Sequence, residues 1–99
     1  MSTKIGQQLV SRVNQYFHRL PETRYHLSVV NVNADQQYNY FFYIRRRGVS
    51  TRSLPLAAEP AKIDLLMDSL SIFRQSYQLP IILTGFSYDE QRRLHQLTR

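Results

Sequence analysis

The sequence predicts a small α+β fold in a single globular domain spanning residues 1–99: a mainly antiparallel sheet of three or four strands with packed helices, in the order α-β-β-β-α-β-α. Three observations carry this prediction. Two stretches repeat apolar residues at helical spacing and a third opens with a capping box, while three or four short runs are dense in β-branched and aromatic residues with turn formers between them. A chain of 99 residues suits one hydrophobic core, and its 42% hydrophobic against 20% charged content is that of a folded globule rather than a disordered chain.

Ile5, Leu9, Val13, Phe17 and Leu20, with Val10 beside them, place an amphipathic helix over residues 4 to about 19, capped by Ser2 or Thr3 and broken by Pro21 and Glu22. Tyr25 to Val32 (YHLSVVNV) reads as a first strand, and the polar cluster Asn33 to Gln37 as the turn that follows it. Tyr38 to about Arg45 (YNYFFYIR) is the strongest β signal, with large apolar residues on both faces. A three-residue loop Arg46-Arg47-Gly48, with Gly48 in the left-handed conformation, would pair Arg45 with Val49 and start a third strand after Gly48. Tyr40, Phe42 and Ile44 then share a face with Leu54 and Leu56, while Phe41, Tyr43 and Arg45 point the other way. A two-residue Arg47-Gly48 loop would instead move Leu54 to the opposite face.

Pro55 ends or edges the third strand, and Glu59-Pro60 is expected to open a second helix, with proline in its first turn. Ile63, Leu66, Met67, Leu70, Phe73 and Tyr77 form that helix's apolar stripe, widened by Leu65 and Ile72, so it is expected to be the most buried one. Leu79 to Thr84 reads as a short fourth strand ended by Gly85. Ser87 and Glu90 have the spacing of a capping box for a last helix over about 88–98, with Asp89 and Glu90 at its start and arginines later, as its dipole favours. The order of the first five elements resembles that of double-stranded-RNA-binding domains in topology; at the start of the second helix, where those domains are rich in lysine, Glu59, Lys62 and Asp64 stand here.

The absence of cysteine excludes a disulfide framework, a thiolate nucleophile and the zinc sites that need one, and fits a cytoplasmic location. No run is apolar enough to suggest secretion or membrane insertion. The net charge of +6 comes mostly from arginine, eleven of the thirteen basic residues. Residues 1–52 hold eight basic and two acidic groups, whereas residues 53–99 hold five of each. Arginine offers a planar fork for phosphate or carboxylate, so this excess points to a polyanion or an acidic protein surface as partner.

The charge converges on the hairpin. Phe41, Tyr43, Arg45, Arg46, Arg47 and Arg52 lie together there, with Arg24 as flanking charge. Aromatic rings stack on bases while guanidinium groups neutralise phosphates, and a two-stranded ribbon is narrow enough for a major groove. The competing structural reading is a solvated hairpin tip above two rings covered by helices. Tyr25, Tyr38, Tyr40 and Tyr43 cluster in the first two strands; tyrosine beside arginine also suits a protein-binding surface, while core rings such as Tyr40 would send their hydroxyls to the rim.

Other constellations favour structural explanations. Asp64 and Asp68 share a helix face without a third ligand at supporting spacing, which favours a solvated or arginine-paired face over a metal site. His18, His26 and His95 fall on separate elements, and no serine or glycine motif of nucleophilic or phosphate-cradling type is present. The expectation is a non-catalytic, cofactor-free nucleic-acid-binding or regulatory protein acting on DNA or RNA through its arginine-rich hairpin. The alternative is a small protein-binding module, an inhibitor, adaptor or self-associating subunit that docks an acidic partner or forms a homodimer.

Overall fold

The computed structural model describes residues 3–18 and 20–98. Its elements are α1 (Thr3–Tyr16), β1 (Thr23–Val32), a 3-10 turn (Asn33–Asp35), β2 (Gln37–Arg46), β3 (Arg52–Pro60), α2 (Ile63–Ser76), β4 (Ile81–Thr84) and α3 (Tyr88–Thr98). The α-β-β-β-α-β-α order is therefore the observed one. The cap expected from Ser2 or from the Thr3 side chain lies outside the described residues. No helix among them is long and apolar enough to cross a membrane.

The strands lie in the order β3-β2-β1-β4. The two hairpin-linked pairs are antiparallel, and β4 joins β1 in parallel, with Leu27 opposite Ile81 and Val30 opposite Thr84. A parallel neighbour requires a crossover, which α2 supplies.

Alternation along the strands divides the sheet into two unlike faces. Tyr25, Leu27 and Val29 of β1 stand beside Tyr40, Phe42 and Ile44 of β2 and turn towards the helices. Leu9 and Val13 of α1, Leu66, Leu70 and Phe73 of α2, and Leu94 of α3 fill the same core. Phe17 continues it past the end of α1, stacking on Tyr25 at 4.6 Å and on Tyr77 at 5.7 Å between ring centroids. The α1 helix ends three residues earlier than its spacing suggests, because Phe17 turns inward and the Tyr25 hydroxyl donates to the His18 carbonyl. At the far end, the Arg74 guanidinium donates to the carbonyls of Leu79 at 2.5 Å and Leu97 at 2.8 Å, tying α2 to the segment before β4 and to the end of α3.

The capping box is present: the Ser87 backbone N–H donates to Glu90 Oε1 at 2.9 Å, and the Glu90 N–H donates to Ser87 Oγ at 3.2 Å. The hairpin differs from expectation in length. Arg46 and Arg52 are separated by five residues, and Ile44 pairs with Arg52 and Phe42 with Leu54, so the register lies two residues from the expected one. A shift of two preserves the faces. Gly48 is left-handed (φ 78°) in a turn closed by the Val49 N–H on the Arg46 carbonyl at 3.0 Å.

Glu59 and Pro60 do not open a helix. They extend β3, and α2 begins only at Ile63. As an edge strand, β3 tolerates prolines that the sheet interior would reject. A bulge after Pro55 turns Leu56 and Ala57 both inward, and the Gln8 side-chain amide of α1 donates to the Leu56 carbonyl at 3.1 Å. Glu59 then points into the core opposite Tyr38 and accepts hydrogen bonds from the Tyr40 hydroxyl and, at 3.1 Å, from the Ser69 hydroxyl of α2. The Tyr40 hydroxyl thus ends inside the protein rather than at its rim.

Gly6 lets α1 approach α2. A Cβ at this position would stand 2.8 Å from Ile72 Cβ and 2.9 Å from Ile72 Cδ1. Gly6→Ala gains about 1 kcal/mol of helix propensity but incurs an overpacking cost of roughly 1–3 kcal/mol. Urea denaturation should show net destabilisation of about 1 kcal/mol; a stabilised variant would contradict this close approach.

Burial pushes the Glu59 carboxyl above its ordinary range, outweighing the opposing hydrogen bonds from Tyr40 and Ser69. The folded state therefore holds this proton more tightly than the unfolded chain. Its contribution to stability is greatest below the unfolded carboxylate pKa of about 4.3, falls as pH rises towards the folded value, and is flat beyond it. The stability difference between Glu59→Gln and the parent should shift in favour of glutamine from about pH 4 to about pH 7, as measured by denaturation at each pH. A constant difference would contradict the raised carboxyl.

Candidate functional site

The face of the sheet opposite the helices is bare. None of its hydrophobic residues, Val30, Val32, Phe41, Tyr43 and Ile82, belongs to the core or packs against it. Strand pairing arranges this face in rows from the hairpin end: Arg24 beside Arg45, then His26-Tyr43-Ser53, then Ile82-Ser28-Phe41-Pro55, then Thr84-Val30-Asn39-Ala58, and finally Val32-Gln37-Pro60. Positive charge occupies one end, rings the middle, and amides and small residues the other end. No carboxylate occurs in any row.

Phe41 and Tyr43 are half-buried among their strand neighbours and open towards solvent. Tyr43 stacks on His26 across β1 and β2, with ring centroids 4.7 Å apart and planes 13° apart, which leaves the opposite side of each ring outside the pair. Burial pushes the His26 imidazole below its ordinary value, so it stacks as a neutral ring at neutral pH. Phe41 makes no ring contact among the described residues.

The arginines of the hairpin do not form one surface. Arg24 and Arg45 are direct cross-strand neighbours on the bare face. Like charges so placed cost stability, yet neither arginine forms an ion pair among the described residues. The nearby carboxylate of Glu22 lies 3.6 Å from Arg47 at the turn instead. Arg46 and Arg52 fall on the helix side of the sheet by the same alternation. There they border a largely apolar cleft between the end of α1 and the hairpin, with Tyr16, Leu20, Tyr25 and Val49. All of Arg24, Arg45, Arg46 and Arg47 still line one open concavity at this end of the protein.

His26 and Ile82 are members of the bare face that the hairpin-centred reading missed. His26 is legible in the alternation of YHLSVV, where it falls opposite the inward Tyr25 and Leu27. Ile82, 48% exposed, reaches this face only because β4 pairs with β1, a partner choice that no local pattern encodes. The other constellations do not build a centre. Asp64 lies 3.8 Å from Arg93, and among the described residues no three of the histidine, aspartate and glutamate side chains come together to hold a metal ion. Arg92 stands over the exposed Tyr88 ring of α3 at 5.8 Å, a pair that belongs to the helix layer.

Compared with family models, curated proteins and solved structures, the chain finds no match.

Proposed function

We propose that this is a non-catalytic nucleic-acid-binding protein whose interface is the bare face of the sheet, with Arg24 and Arg45 on phosphate and Phe41 and Tyr43 beside the bases. The observation that carries the reading is the unpaired Arg24-Arg45 couple next to half-buried, solvent-facing rings on a face free of carboxylates. A fold that needed only solubility would gain by placing an acid opposite one of these arginines. A polyanion supplies the missing countercharge, and arginine's fork suits phosphate oxygens. Arg46, at the end of β2, adds charge to the same end and steers the approach, while Arg47 is offset by Glu22.

The second reading, an acidic protein partner, is supported by the other side of the hairpin. Leu20 and Val49, 43% and 56% exposed, border the apolar cleft beside Arg46 and Arg52. This arrangement would receive an apolar anchor flanked by carboxylates.

The separation of the arginines between two faces makes the readings separable by mutation. Replacing Arg24→Gln and Arg45→Gln together should weaken binding to DNA or RNA oligonucleotides and flatten the dependence of log affinity on log salt by about 1.4, the value for two lost phosphate contacts on a single strand. The melting temperature should stay level or rise, because the like-charged couple is gone. Fluorescence anisotropy across a salt series measures the first effect and thermal unfolding the second. Unchanged affinity in the double variant would refute the assignment of this face, and loss of binding only with Arg46→Gln and Arg52→Gln would transfer the interface to the helix side.

A further inference from the structure

We infer that the ligand of the bare face is single-stranded nucleic acid, lying along β2 with bases against Phe41 and the Tyr43-His26 stack and with its backbone held at the Arg24-Arg45 end. This inference rests on the function proposed above and specifies which nucleic acid the face accepts.

The sheet itself argues against a duplex. A two-stranded ribbon enters a major groove about 12 Å wide, but β2 is not half of a free ribbon. It is paired along its whole length with β1 and along most of it with β3. At the Phe41 row all four strands stand side by side, Ile82-Ser28-Phe41-Pro55, and their three spacings make the backbone layer about 14 Å across before side chains are counted, wider than the groove. Only the turn beyond Arg46 projects past the paired strands, and it carries none of the rings.

The rings also argue for unpaired bases. In a duplex the faces of the bases are already stacked on one another, so protein aromatics gain little from them; an unstacked base offers its whole π-face. Phe41 has both ring sides outside any aromatic contact, and Tyr43 has one. From Phe41 to Arg45 along β2 is about 14 Å, with rows about 7 Å apart, a run that accommodates the two or three bases that aromatic sheet faces stack. Charge at one end of this run and rings in its middle place the backbone and bases of a short segment without reading its sequence. Asn39 and Gln37 lie beyond Phe41 on the same face, where the Gln37 side-chain N–H donates to Asn39 Oδ1 at 2.9 Å; the Asn39 amide nitrogen and the Gln37 side-chain carbonyl are left to face the edges of following bases.

The test compares labelled single strands of about twelve nucleotides, deoxythymidine and uridine homopolymers, with a hairpin duplex of equal charge at low salt. The expected result is single-strand affinity on the order of ten-fold or more above that for the duplex. Phe41→Leu, which keeps apolar bulk but removes the ring, should weaken single-strand binding by about 5- to 150-fold, while Phe41→Tyr retains it. Because the chain has no tryptophan, Phe41→Trp provides a single reporter, whose emission should be quenched by the homopolymers as bases stack on it. Equal affinity for duplex and single strand, unchanged binding in Phe41→Leu, or unquenched emission at saturation overturns the single-strand assignment while leaving nucleic-acid binding in place. No binding to either nucleic acid at low salt overturns both. A solution dimer that Phe41→Leu dissociates gives the face to a second copy of the chain and overturns the inference equally.

Discussion

The register of β1 on β2 is the constraint on which the rest depends. Ten consecutive pairs, from Thr23 opposite Arg46 to Val32 opposite Gln37, decide which residues meet the helices. In YNYFFYIR large rings stand at both parities, so hydrophobicity within β2 alone does not choose a face. The choice comes from β1, where Leu27 and Val29 alternate with the more polar His26 and Ser28. A slip of one residue would set Phe41 and Tyr43 against α1 and α2 and expose Tyr40 and Phe42. The Tyr40-Glu59-Ser69 hydrogen bonds join β2 to β3 and α2 and hold Tyr40 on the helix side, so they oppose the change of face that such a slip entails. Losing one partner would leave a buried polar group unsatisfied.

The same register separates what the fold uses from what it leaves available. All three helices place their buried residues on one side, so the rings on the other side pack only against their neighbours within the sheet. The edges of this face are guarded against further strands: β3 carries Pro55 and Pro60, and β4 is only four residues long after Pro80. Interaction through side chains is thereby favoured over addition of another strand. An exposed face with edges poorly suited to strand pairing and no acidic residue fits a charged, flexible ligand better than a β-strand from another protein.

Helix α3 was the most legible element, since the Ser87-Glu90 box and the order of its charges are local signals. The opposite orientation of Phe41 and Tyr43 to Phe42 was legible too, because strand parity survived an even error in the hairpin register. The start of α2 was misread because Glu-Pro is a favourable helix opening in isolation, whereas an edge position and a buried hydrogen-bond network hold these residues in β3. The composition of the candidate site was only half legible. Consecutive arginines look like one patch in a line of text, but neighbours in a strand point to opposite sides of the sheet. The pairing of Arg24 with Arg45, and the placing of Ile82 beside Ser28, are products of long-range topology.

That separation also changes the meaning of the net charge. At physiological salt the screening length is about 8 Å, so arginines gathered at one end of a small protein attract an approaching polyanion together, whichever face each occupies. After contact, their roles diverge. Arg46 and Arg52 border an apolar cleft on the helix side, Arg47 is engaged with Glu22, and of these arginines Arg24 and Arg45 share the face of the half-buried Phe41 and Tyr43 rings. In the proposed complex, arginine number and sequence proximity therefore govern the encounter, while strand parity governs the bound state. The small part of the positive charge that shares a face with Phe41 and Tyr43 is the part able to couple phosphate neutralisation to base stacking.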